Sequence, residues 1–161
     1  MELSRRNRTG EIASDIFVIF VTVANLIFFT FFHKYIAWYT TEPDGSVTRL
    51  SMLTDDYFIW LPIAITASIL VIVANIVMII YDRYWFRQTA WIIFSIIGIA
   101  VTVSLVSIFP FDFSVIPNAT AVDVVPIVVT VFFILLAVFY GVTALVMFVK
   151  LRSYAAKQET R

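Results

Sequence analysis

The chain has 161 residues, of which 61% are hydrophobic and only 14% charged, against roughly half and about a quarter in soluble domains. A water-soluble fold has no place for that much apolar surface, so composition predicts an integral membrane protein. Eleven basic residues balance eleven acidic ones and there is no cysteine, which excludes a net field that would recruit nucleic acid, and with it disulfides, thiolate metal sites and cysteine nucleophiles.

The first predicted element in chain order is an apolar run over about 15–37, behind Arg5, Arg6 and Arg8. Its basic front resembles a signal peptide. The length of the run and the lack of a small-residue cleavage site predict a retained anchor instead. Ser14 and Asp15 stand where the helix is expected to begin, with side-chain acceptors for free N–H groups and negative charge for the positive dipole end. His33, the single histidine, sits at the far end without the further ligands a metal requires. It reads as an interfacial side chain.

Residues 38–56 include "WYTTEPDGSVTRLSM", a polar stretch between apolar runs. Two Thr- and Val-rich arms flank a turn in which Pro43 presets φ, Asp44 tolerates turn geometry and Gly45 accepts positive φ, predicting a β-hairpin. Trp38 and Tyr39 belong to an aromatic belt at its base. A lone hairpin is marginally stable, so a further covering surface is expected.

The second run covers 57–81, with Thr54, Asp55 and Asp56 as expected caps and Pro62 as an expected kink. Its β-branched "ILVIVANIVMII" would suggest a strand in a soluble protein, but the run is long enough to cross a bilayer and must then be helical. A short connection with Arg83 and Arg87 leads to a third run over 89–109. From the end of that run into the loop 110–122, Phe109, Phe111, Phe113 and Val115 alternate with Pro110, Asp112, Ser114 and Ile116. That period predicts a half-buried strand, confined to an edge by its prolines, with Phe111 and Phe113 available to cover the hairpin. The fourth run, 123–149, opens on Asp123 as a cap, carries Pro126 in its first turn and is followed by Lys150, Arg152, Lys157 and Arg161.

Nine of the Lys and Arg residues fall before the first run, in the second connection or after the fourth, whereas the other two connections hold only Lys34 and Arg49. The positive-inside rule therefore predicts cytoplasmic N- and C-termini, with localisation in the plasma membrane. The expected fold is an all-α integral membrane protein, a four-transmembrane-helix up-down-up-down bundle in one domain, with a small extracytoplasmic β-cap. Small and hydroxyl residues recur as Ser95, Gly98 and Thr102 on the third run and as Thr130, Ala137, Gly141 and Ala144 on the fourth. They are expected to mark helix-packing faces.

Within the spans, Thr22 and Asn25 share one face of the first, and Ser68, Asn75 and Asp82 recur seven apart on the second. This stripe reads either as interhelical glue or as a narrow polar path. No metalloprotease, hydrolase or nucleotide-binding motif is present, so no catalytic, cofactor or metal residue is assigned. "NAT" at Asn118 has the form of a glycosylation sequon. Four spans with cytoplasmic termini and two outer loops that share a sheet resemble the claudin-type layout. The two-cysteine signature of those proteins has no counterpart beside Trp38, so the resemblance implies topology and no junctional role. The expected function is that of a non-enzymatic accessory or structural subunit, partnered by the lipid bilayer and by other membrane subunits or further copies of itself. A small oligomeric channel or transporter that uses the polar stripe is the alternative, and an outer-surface sensor or lipid-binding module is a third.

Overall fold

The computed structural model describes residues 8–81 and 83–159; Asp82, the last member of the expected polar stripe, lies outside them. Four helices are long and apolar enough to cross a membrane. They are α1 (Arg8–Ile27), α2 (Tyr57–Ile80), α3 (Tyr84–Ile108) and α4 (Ala119–Glu159). A two-stranded antiparallel sheet, β1 (Ala37–Thr41) with β2 (Val47–Ser51), separates α1 from α2.

Three expected helix caps are corrected, and α3 begins at Tyr84 rather than at 89. α1 already runs from Arg8, so Asp15 lies well inside it and is buried, with 1% of its surface exposed. A tertiary partner, described below, takes its carboxylate away from any capping role. α4 starts at Ala119, which puts Asp123 and Pro126 in its interior; the cap is Asn118, whose Oδ1 accepts the Ala121 N–H at 3.2 Å. Pro126 lacks the N–H that would bond the Val122 carbonyl. At α2, Asp56 makes no side-chain cap. The first turn closes instead through backbone carbonyls, with Tyr57 N–H on Thr54 and Phe58 N–H on Asp55.

The end of α1 also departs from a simple rod. Residues Phe28–Phe32 form a π-helical turn, followed by a 3₁₀ turn over His33–Tyr35. Where the ladder changes pitch, the Phe29 carbonyl accepts the Tyr57 hydroxyl at 2.6 Å, which ties α1 to the start of α2. Further pairings fix the sense of each neighbour: Trp60 Nε1–H to the Val101 carbonyl at 3.4 Å joins α2 to α3. The Tyr84 and Tyr154 rings, 4.9 Å apart, join the start of α3 to the end of α4. Successive helices therefore run antiparallel. The start of α1, the end of α4 and the α2–α3 connection lie at one pole, the hairpin at the other.

Buried residues gather in two small clusters, Tyr57, Trp60 and Leu105 near the hairpin pole and Met78, Ala90 and Phe94 near the terminal pole. Among its described side chains, α4 has no buried residue. Its half-buried positions include Phe133, Ala137, Tyr140, Ala144, Met147 and Leu151, an alternation of four and three that makes a single coiled-coil-like seam. Tyr140 meets α3 at Gly98, where an added Cβ would stand 2.9 Å from the ring carbons. Gly141, expected on the packing face, has open space in place of a Cβ. It therefore does not pack against a helix of this chain. The other faces of α4 expose Phe132, Phe139 and Leu145, each more than half exposed.

The hairpin forms as expected, pairing Ala37 with Ser51 through Thr41 with Val47. Gly45 adopts φ +84°, the left-handed region that glycine enters without a Cβ penalty. The expected strand in the second loop is corrected to a single bridge, Leu53 with Phe111, flanked by hydrogen bonds from Thr54 N–H to Pro110 and Asp112 N–H to Met52. Three local features keep it short. Phe109 closes α3 in the left-handed region at φ +45°, Pro110 has no N–H to donate, and the Asp112 carboxylate takes the Ser114 N–H at 2.9 Å and turns the chain.

Candidate functional site

The most ordered polar arrangement joins α1 to α3 at the terminal pole. Arg87 donates from Nη1 to Asp15 Oδ2 at 2.7 Å and from Nη2 to Asp15 Oδ1 at 2.9 Å. This two-pronged geometry matches a planar guanidinium to a carboxylate. Glu11, one helical turn before Asp15, approaches Arg87 Nε at 3.4 Å. Arg87 and Asp15 are 7% and 1% exposed, so each charge depends on the other for what water would have supplied.

The helical geometry explains the grouping. Glu11 and Asp15 are four apart and share a face of α1, while Arg87 lies in the first turn of α3, and Gln88 and Trp91 continue along it. Glu11, Ser14, Tyr84, Arg87, Gln88 and Trp91 line a cavity of about 370 Å³, which α4 closes with Met147. Gln88 Oε1 is buried and has no hydrogen-bond partner among the described residues.

The residues expected to form a polar stripe are not brought together by hydrogen bonds. Thr22 donates to the Val18 carbonyl, Ser68 to Ala64 and Asn75 Nδ2 to Val71, each at 2.7–2.8 Å within its own helix. Asn25 faces outward. Asn75 is completely buried, yet its Oδ1 has no partner among the described residues. On α3, Ser95 and Thr102 are buried and bond back to Trp91 and Gly98. Ala137 lines a groove between α3 and α4 with Thr102, and Thr130 and Ala144 are half-buried.

At the hairpin pole, Trp38 and Tyr39 are exposed, at 37% and 50%, and Phe113 is buried. The Phe111 ring stacks on Phe113 and on Phe133 of α4, so the second loop is pinned to α4. The turns of both loops use the same device. The Ser46 hydroxyl and N–H donate to Asp44, and those of Ser114 donate to Asp112, holding both carboxyls below the usual aspartate range. His33 stacks on Tyr57 with ring centres 5.1 Å apart, and its Nδ1 lies 3.1 Å from the Thr30 carbonyl.

From the sequence, Asp15 reads as a cap and Arg87 as one charge in an orientation count. The signal available was the i, i+4 spacing of Glu11 and Asp15 ahead of an apolar face, with an arginine just before an apolar run on another helix. No described protein family, curated protein or solved structure matches the chain.

Proposed function

We propose that the chain is a non-enzymatic multi-pass membrane protein of the plasma membrane, an accessory or structural subunit that associates with other membrane subunits or further copies of itself. The observation that carries this reading is how the polar groups of the spans are used. The stripe hydroxyls bond to their own helices and the charged pair is spent on joining α1 to α3. The faces left over, above all three sides of α4, are apolar and open to lipid or to another helix. In the sequence, nine of the chain's eleven basic residues precede the first apolar run, lie between the second and third or follow the fourth, which supports cytoplasmic termini and a hairpin, with its bridged second loop, as an outer cap.

Purification in gentle detergent followed by mass spectrometry of co-purifying chains tests the proposal. A stoichiometric partner chain or a defined homo-oligomer is the expected result, and a lone monomer at membrane-like concentration refutes it. One observation favours a second reading, a small oligomeric channel or transporter: Asn75 Oδ1, without a partner among the described residues and fully buried in the last third of α2. Solute or ion flux in liposomes containing the pure protein, abolished by Asn75→Leu, would establish that reading instead.

A further inference from the structure

We propose that the cavity at the terminal pole binds an anionic glycerophospholipid, with hydrogen-bond donors of α3 meeting its phosphate and ester oxygens. This rests on the membrane placement above and is independent of the subunit role. The donors share one face of α3. Tyr84, Gln88 and Trp91 line the cavity at i, i+4 and i+7, the spacing that sets side chains one above another on a helix.

The state of each polar atom sets the chemistry. The Tyr84 hydroxyl, the Gln88 amide nitrogen and the Trp91 indole N–H have no hydrogen-bond partner among the described residues, and all three keep accessible surface. The carboxylate and amide oxygens beside them are taken or sealed. Glu11 and Asp15 engage Arg87, and Gln88 Oε1 is buried. The wall therefore offers N–H and O–H groups next to a guanidinium, which suit the oxygens of an anion and leave an ammonium unmet. The surrounding charge has the same sign: residues 8–15, 82–91 and 147–152, which supply the lining, hold five basic residues against three acidic ones.

Spacing distinguishes a lipid from a free phosphate. Tyr84 and Trp91 are about 10 Å apart along the helix axis at 1.5 Å per residue, more than one phosphate ion spans. A glycerophospholipid spreads its acceptors over such a length, with phosphate oxygens at headgroup level and ester carbonyls deeper. Phe17, one turn beyond Ser14 on α1 and 67% exposed, continues the wall as an apolar surface for the acyl chains.

The test is native mass spectrometry of the intact protein from detergent containing equal phosphatidylglycerol, phosphatidylethanolamine and phosphatidylcholine. The expected result is a preference for phosphatidylglycerol of about tenfold, the scale of one hydrogen bond to a charged group. Tyr84→Phe combined with Gln88→Leu removes two donors and no charge, and should bring the three lipids to near-equal binding. Its melting temperature in lipid-free detergent should hold, because neither donor has a partner in the protein. Trp91→Phe, which keeps a ring and loses the N–H, should lower the preference about threefold or more and serves if the double variant fails to fold.

Equal binding of the three lipids by the unaltered chain, or a preference that survives these substitutions, overturns the proposal; the second outcome would leave charge alone as its source. Displacement of the lipid by soluble glycerol 3-phosphate at equal concentration also overturns it, by making the ligand a free phosphate compound. Failure of the chain to integrate into liposomes would instead show that the membrane placement is at fault.

Discussion

A single arginine decides how α1 meets α3. With Arg87 removed, Asp15 would remain as a buried charge without a counter-ion, a defect worth about 3–5 kcal/mol. Arg87→Leu should therefore lower the denaturation midpoint in detergent sharply, and Arg87→Lys should recover only part of the loss, because an ammonium cannot span both carboxylate oxygens. The pair Asp15→Leu with Arg87→Leu should be far less damaging than Arg87→Leu alone, since it removes both desolvated charges together. Equal damage from the single and double variants would show that the ion pair does not join the helices. The hairpin turn gives a pH-dependent prediction. Asp44 is held below its usual range first by the Ser46 hydroxyl, then by its N–H. The folded chain thus holds that proton less tightly than the unfolded chain. The turn's contribution is present above the unfolded aspartate range and is lost as the pH falls through the folded value. Ser46→Ala should shift the Asp44 titration upward in a carboxyl-detected NMR series, and an unmoved midpoint would refute the assignment.

Among the helices, the α3–α4 seam contains a built-in control. Gly98→Ala places a methyl 2.9 Å from the Tyr140 ring and should destabilise by about 1–3 kcal/mol through overpacking. Gly141→Ala points into open space and should be neutral or stabilising by up to about 1 kcal/mol, the helix-propensity gain. Thermal unfolding of both variants in one detergent checks this, and matching losses would contradict the seam. The same comparison shows what the sequence made legible. Run length alone revealed four helices long and apolar enough to span a membrane, because an apolar stretch of that length has one sensible conformation, and "PDG" revealed the hairpin through turn chemistry. Helix starts were not legible. Ser14-Asp15 carries a strong local cap signal, yet an arginine 72 residues away claims the carboxylate, and no local pattern records that. The alternation of "FPFDFSVI" predicted a strand where Phe109, Pro110 and Asp112 each interrupt one. The candidate cavity was hidden for the same reason as the cap, since its polar residues come from α1 and α3, where Ser14 reads as a cap and Arg87 as an orientation charge.

For the molecule as a whole, the absence of cysteine makes orientation directly measurable, because a single introduced thiol has no competitor. Ser46→Cys in the hairpin turn should react with a membrane-impermeant maleimide on intact cells, and Ser153→Cys near the end of α4 only after permeabilisation. The reverse pattern would invert the proposed topology. The length of α4 carries a mechanical consequence. At 1.5 Å per residue, its 41 residues extend for about 60 Å, roughly twice the hydrocarbon thickness. The portion from Lys150 onward is therefore a stiff arm beyond the last apolar turns, clipped to the start of α3 where Tyr154 meets Tyr84. Tyr84 also borders the cavity beside Arg87, so a load applied to the arm is delivered as leverage to the mouth of that cavity.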